Sequence, residues 1–223
     1  MKIAEIFYSV QGEGGLAGVP SVFVRTSGCN LRCSWCDTPY TSWEPEGGEM
    51  SRDQILEAVA AYPARHVVVT GGEPLIAPGI VPLTEALAGR GLHITVETAG
   101  TVFAPVACHL MSISPKLANS TPEGPWAAQH ERLRIRRDVL ARLMAAYPYQ
   151  LKFVVARPED MDEVRLLVGE VAADRTRVIL MPEGTDPAVL RERALWLVEL
   201  CKAEGFRFSP RLHVDLWGAR RGV

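Results

Sequence analysis

Short β-branched runs alternate with longer helical patterns along this 223-residue chain, and no other feature restricts its fold so tightly. The apolar runs fall at 21–26, 66–70, 92–96, 106–111, 150–155 and 177–181, with a weaker one at 206–210. Helical patterns fill 52–62, 80–91, 137–147, 158–172 and 186–204, the first opening on the capping box Ser51-Arg52-Asp53-Gln54. Strands that are apolar throughout and separated by helices predict a parallel sheet whose outer face is covered. Six or seven such units are too few to close an eightfold barrel. The expected fold is α/β, a partial, incomplete TIM-like β/α barrel with six to seven mostly parallel strands. No linker or repeat divides the chain, so one domain over residues 1–223 is expected.

Nearly every unusual polar motif lies at the C-terminal end of one of these strands. Cys29 follows the first run, Gly71-Gly72-Glu73-Pro74 the second and Glu97-Thr98 the third. Ser112-Ile113-Ser114-Pro115-Lys116 follows the fourth, and Pro182-Glu183-Gly184 follows the run at 177–181. In parallel α/β barrels those ends converge on one rim, where active sites are built. The pattern predicts an enzyme. The longest irregular stretch, 115–129, is expected to be a functional loop.

Cys29, Cys33 and Cys36 form a C-x3-C-x2-C loop, offering three thiolates from one tight turn. Three cysteines can hold three corners of a cubane iron–sulfur cluster and leave the fourth iron open to a small molecule. The competing reading is structural zinc, which wants four closed ligands, and no histidine is nearer than His66. Disulfides are disfavoured by the odd count of five cysteines, with Cys108 and Cys201 isolated in apolar contexts as core thiols.

The formal net charge of −2 argues against a nucleic-acid-coating surface. The arginine-rich run 131–137 reads as a solvated helix start, with docking of an acidic partner as the alternative. No stretch is apolar for long enough to span a bilayer, and the start shows no targeting segment, so a cytoplasmic protein is expected.

The cysteine loop, with Trp35 before its last cysteine and Gly-Gly-Glu-Pro after the next strand, resembles the radical S-adenosylmethionine (SAM) superfamily. Within it the chain is similar over essentially its whole length to the 7-carboxy-7-deazaguanine synthases. The segments carrying that likeness are Glu5-Ile6-Phe7-Tyr8-Ser9-Val10-Gln11-Gly12-Glu13-Gly14, Arg25, Cys36-Asp37-Thr38, Val96-Glu97-Thr98-Ala99-Gly100-Thr101, Ser112 to Lys116, and His213-Val214-Asp215-Leu216-Trp217-Gly218. The resemblance implies conversion of 6-carboxy-5,6,7,8-tetrahydropterin to 7-carboxy-7-deazaguanine and ammonia, on the way to 7-deazapurines such as queuosine. It implies hydrogen abstraction at C6 by a 5′-deoxyadenosyl radical, a radical ring contraction, and SAM regenerated as a cofactor.

Site roles implied by the resemblance follow motif by motif. Cys29, Cys33 and Cys36 would ligate a [4Fe–4S] cluster, and Thr38 would offer its hydroxyl to Mg2+. Trp35, Cys36, Asp37, Gly72, Glu73, Ser114, Pro115, Lys116, Met181, Pro182, Glu183 and Gly184 would contact SAM. Gly71 and Gly72 would let the backbone approach the ligand, and Glu73 would receive the methionyl ammonium. Val10, Gln11, Gly12, Glu13, Arg25, Thr70 and Val223 would hold the pterin. Arg25 has a physical argument of its own, because a charge in an apolar strand needs a partner. That partner is a substrate carboxylate or an internal acid. His213 is read as a residue of a closing strand and given no role.

Segment 1–19 would serve substrate binding, loop 28–38 the cluster, and tail 213–223 would close the active site with the terminal carboxylate of Val223 on the pterin. A flavodoxin- or ferredoxin-type reductant and a homodimer are further implications. Two other readings compete: a glycyl-radical activase, and a metal-binding domain without turnover.

Overall fold

In the computed structural model, which describes residues 1–223, β1 (Lys2–Val10) and β2 (Pro20–Thr26) pair antiparallel. The connection 11–19 is long enough for a reversal and too short for a crossover helix. After the cysteine loop come α1 (Pro39–Ser42) and the short β3 (Gly48–Glu49), which pairs antiparallel with β1. The chain continues through α2 (Arg52–Ala60), β4 (His66–Gly71), α3 (Ile80–Gly89), β5 (His93–Thr98) and β6 (Leu110–Ile113). It ends with α4 (Ala127–Arg134), α5 (Arg137–Ala146), β7 (Tyr149–Val155), α6 (Asp160–Glu170), β8 (Val178–Pro182), α7 (Pro187–Glu204), β9 (Arg207–Phe208) and α8 (Leu212–Trp217).

The nine strands form one open sheet in the order β3-β1-β2-β4-β5-β6-β7-β8-β9, parallel from β2 onward. The expected partial barrel is therefore present, with an antiparallel margin of β1 and β3 added at one edge. Residue parity sorts its two faces. Val22, Val24, Val67, Val69, Ile94, Val96, Met111, Ile113, Leu151, Phe153 and Leu180 join the main hydrophobic core with α2, α3, α5, α6 and α7. The alternate positions carry Arg25, Thr70, Glu97, Ser112, Gln150 and Lys152. Arg25 is registered beside Thr70, Glu97 beside Ser112, and Ser112 beside Gln150. Strand pleating thus places a polar layer opposite the apolar one. The Ser51 capping box forms as expected, with Ser51 Oγ accepting from Gln54 N. No helix is long and apolar enough to cross a membrane.

Three expectations need correction. The strand expected at 106–111 starts only at Leu110, because the Ala107 N–H donates to Thr84 Oγ1 on α3 and Val106 N–H closes a turn on Ala104 O. The stretch 115–129 and the arginine run are not loop followed by helix start, since α4 already begins at Ala127. There Arg134 is half-buried against Glu131 and Glu163, whereas Arg136 and Arg137 do open toward solvent at the start of α5. His213 lies on α8 and not in a strand.

Candidate active site

The cysteine loop leaves β2 through Gly28 and is clamped on both sides by backbone. Gly28 N–H donates to Thr41 O (2.8 Å), and Glu73 N–H donates to Gly28 O (2.9 Å). Arg32 N–H donates to His130 Nδ1 (3.2 Å) on α4, and Ser34 N–H donates to Ser120 O (2.9 Å). Leu31 is 1% exposed and packs with Ala99 and Cys33, so a single buried leucine pins the middle of the loop. Burial pushes the Cys29 thiol up to about 11 and the Cys33 thiol up to about 12. Ligation must therefore displace protons from them.

All three cysteines line one cavity of about 340 Å3 at the C-terminal rim of the sheet. No three His, Cys, Asp or Glu side chains converge closely enough to ligate a single ion. A cubane gives each thiolate its own iron and suits three sulfurs spread around a loop, so the donor set fits the cluster.

The Gly-Gly-Glu-Pro turn works differently from expectation. A Cβ on Gly72 would lie 2.1 Å from Gly28 O and 2.7 Å from Thr41 O, so glycine is needed for backbone to meet backbone. Gly72 still lines the cavity, but its missing side chain makes room for the cysteine loop. Glu73 is fully buried away from the cavity, and it accepts from Leu75 N (3.1 Å), Thr98 Oγ1 (2.8 Å) and Ala99 N (2.8 Å). It staples the ends of β4 and β5 together, and its side chain does not border the cavity where the methionyl ammonium was expected. Pro115 and Pro182 are likewise buried behind the lining.

The remaining residues expected around the adenosyl ligand do border the cavity: Trp35, Asp37, Ser114, Lys116, Met181, Glu183 and Gly184. Lys116 Nζ donates to Ser114 O (2.8 Å) and Oγ (2.9 Å) and sits 5.9 Å from the centre of the Trp35 ring. Glu183 is paired with Arg193. Thr38 borders the same space, 3.9 Å from Cys36 Sγ, and its hydroxyl makes no cap bond to α1.

Val10, Gln11, Gly12, Glu13, Arg25, Thr70 and Val223 line the cavity too. Arg25 has the internal partner that sequence alone left open: its Nε donates to Glu5 Oε1 (2.7 Å), which Tyr40 also reaches (2.8 Å). Only Nε is engaged, so both terminal amino groups stay available on the cavity wall. Glu13 is less free than expected. Lys152 engages one of its oxygens and Arg211 Nε the other (3.2 Å). Burial alone would raise the Glu13 pKa, but Lys152 and Arg211 hold it far below the carboxylate range.

Sequence reasoning gave no individual role to Glu97, which it placed only among the rim motifs, nor to Lys152, Arg211 or His213, all of which line the cavity. Glu97 accepts from Gln11 Nε2 (3.1 Å) and Thr70 Oγ1 (2.8 Å), which links the N-terminal segment to β4 and β5. Lys152 was detectable by the argument applied to Arg25, a cation within an apolar strand. His213 stands against Gly12, where a Cβ would come within 1.9 Å of its Nδ1. Arg221 fastens the tail to Glu5 (3.2 Å) and Glu46 (2.9 Å) and covers the Tyr40 ring at 3.9 Å.

Residues 23–146 match the radical SAM superfamily. The 7-carboxy-7-deazaguanine synthase of Halobacterium salinarum is 50% identical, the alignment covering 97% of this chain and 90% of that protein. The chain belongs to the 7-carboxy-7-deazaguanine synthase family. The Rhodopirellula baltica member is 43% identical over 100% of this chain and 89% of its own. The crystal structure of QueE from Escherichia coli superposes with a TM-score of 0.72 at 28% identity, covering 95% of this chain and 94% of that one. Membership of the superfamily implies a [4Fe–4S] cluster and SAM, the groups that the cysteine loop fits.

Proposed function

We propose that this chain converts 6-carboxy-5,6,7,8-tetrahydropterin to 7-carboxy-7-deazaguanine and ammonia. The observation that carries the reading is a single cavity with two chemically distinct walls: three cysteines on one, and Gln11, Glu97 and the free amino groups of Arg25 on the other. When bound, the cluster and SAM supply hydrogen-atom abstraction.

Cys29, Cys33 and Cys36 would hold the cluster. Trp35, Cys36, Asp37, Gly72, Ser114, Lys116, Met181, Glu183 and Gly184 would surround SAM. An aminopyrimidinone edge presents adjacent N–H donors beside a carbonyl, which suits a carboxylate next to an amide. Gln11 and Glu97 supply that pair within 3.1 Å of each other. The two free amino groups of Arg25 suit a planar carboxylate, gripped in a fork. Glu5 presets the guanidinium from behind, so little freedom is lost on binding. Val10, Gly12, Thr70 and Val223 complete this wall, and the tail 213–223 would exclude water once substrate is bound.

Thr38 would give its hydroxyl to Mg2+ bound with substrate oxygens. The working form would be a cytoplasmic homodimer reduced by a flavodoxin- or ferredoxin-type donor. Anaerobic incubation of the reconstituted, reduced enzyme with carboxytetrahydropterin, SAM and Mg2+ tests the whole reading. Formation of 7-carboxy-7-deazaguanine is expected, and its absence under full cluster loading would refute the assignment.

A further inference from the structure

Arg211 has no counterpart among the sequence motifs, yet its guanidinium joins three segments that are far apart in the chain. Its Nη2 donates to Asp37 in the cysteine loop, and its Nη1 to Gly184 O (2.6 Å) in the loop after β8. Its Nε donates to Glu13 Oε1 (3.2 Å), and the adjoining Leu212 N–H donates to Gly12 O (2.9 Å). Arg211 is 6% exposed, and every segment it touches borders the cavity.

We propose that Arg211 is a positioning residue that locks the cluster-side loops to the substrate-side segment, setting the distance between the adenosyl group and the pterin. The inference rests on the function proposed above. A planar guanidinium has rigid donors along three edges, so one residue can fix three acceptors in mutual register. Lysine is a point charge and cannot. The acceptors are not core structure. Asp37 remains 42% exposed at its side chain, and Glu13 keeps Lys152 as a second partner. Loss of the guanidinium therefore loosens the register of the two walls without opening the hydrophobic core. Hydrogen transfer demands reacting atoms in near contact, where a misplacement of about 1 Å costs on the order of 100-fold in rate.

The test uses Arg211→Lys and Arg211→Gln, with Asp37→Ala as a milder variant that removes the acceptor of the cysteine-loop arm. In the metal-free proteins, hydrogen–deuterium exchange is expected to quicken in both 28–38 and 11–15. Exchange unchanged in 28–38 would overturn the proposal without any reference to turnover. In the reconstituted enzymes, cluster content should match the parent, and in the two Arg211 variants SAM binding should match it too. The ratio of 5′-deoxyadenosine released to product formed should rise at least tenfold, because hydrogen abstraction is no longer coupled to the correct substrate position. A parental ratio in Arg211→Lys and Asp37→Ala would also overturn it, even if Arg211→Gln failed to fold. A parent enzyme that makes no 7-carboxy-7-deazaguanine would instead refute the proposed function, and the exchange measurement would still decide the role of Arg211.

Discussion

Glu13 and Lys152, 139 positions apart in the chain, meet as a buried ion pair where the N-terminal segment crosses β7. Each explains the other. A lysine 5% exposed in an apolar strand needs an anion, and a glutamate in a buried turn needs a cation. With Arg211 and Asp37 they form an alternating row of four charges along the cavity.

Removing Lys152 is expected to destabilise the metal-free protein. Lys152→Met leaves Glu13 with Arg211 alone, and breaking a buried pair from one side costs about 3 kcal/mol. The Glu13 pKa is depressed in the folded state, so its contribution is present above the unfolded value of about 4.3 and lost as pH falls through the lower folded value. Denaturant unfolding at neutral pH should show the loss, and the variant should be less sensitive to acid. Equal stability in both proteins would mean that the pair contributes nothing net.

Iron retention should separate the five cysteines into two groups. Alanine at Cys29, Cys33 or Cys36 is expected to abolish the [4Fe–4S] signature, whereas Cys108→Ala and Cys201→Ala should keep it. Cys201 packs in the main core and Cys108 against it, away from the loop. Iron and sulfide analysis with electron paramagnetic resonance reads the outcome, and loss of iron in Cys108→Ala would contradict this ligand set.

Gly72→Ala should damage the cluster site through the backbone. The added methyl meets Gly28 O at 2.1 Å and has no flexible neighbour to displace, so the start of the cysteine loop must move. Reduced iron per chain after reconstitution, with a lowered thermal midpoint, is the expected result. Parental iron loading would show that the loop tolerates the shift.

Arg25→Ala is expected to weaken substrate binding by about 1–3 kcal/mol, the cost of leaving a polar group of the substrate unmatched. Steady-state kinetics should show a raised KM for the pterin and an unchanged cluster spectrum. A parental KM would assign Arg25 wholly to Glu5.

Acidification should strain the opposite end of the barrel. His66 and His93 open β4 and β5 with tilted rings 4.6 Å apart between centres, and His93 stacks at 5.0 Å on His109, just before β6. Burial, then His66 and His109, lower the His93 pKa, so its stabilising contribution holds above the unfolded value of about 6.5 and is lost as pH falls. The thermal midpoint of the metal-free protein should drop on passing below that pH, and the drop should shrink in His93→Gln. An identical pH profile in the variant would remove His93 from the account.

What the sequence by itself determined were features written in local pattern. The alternation of apolar and helical runs dictates the parallel sheet, because every such strand must be buried on its outer face. The spacing of Cys29, Cys33 and Cys36 dictates the cluster loop, because three thiols within eight residues need no tertiary structure to be brought together. Only the tertiary structure decided what each polar residue faces. Glu73 sits one position from the cavity lining yet turns to the backbone N–H groups of Leu75 and Ala99, and Arg25 turns its Nε to Glu5. Lys152 and Arg211 join Glu13 from strands and loops more than a hundred positions away. Pleat and periodicity depend on near neighbours and can be read along the chain. The pairing of buried charges depends on which distant segments the sheet brings within hydrogen-bond reach, and that is settled only once the chain has folded.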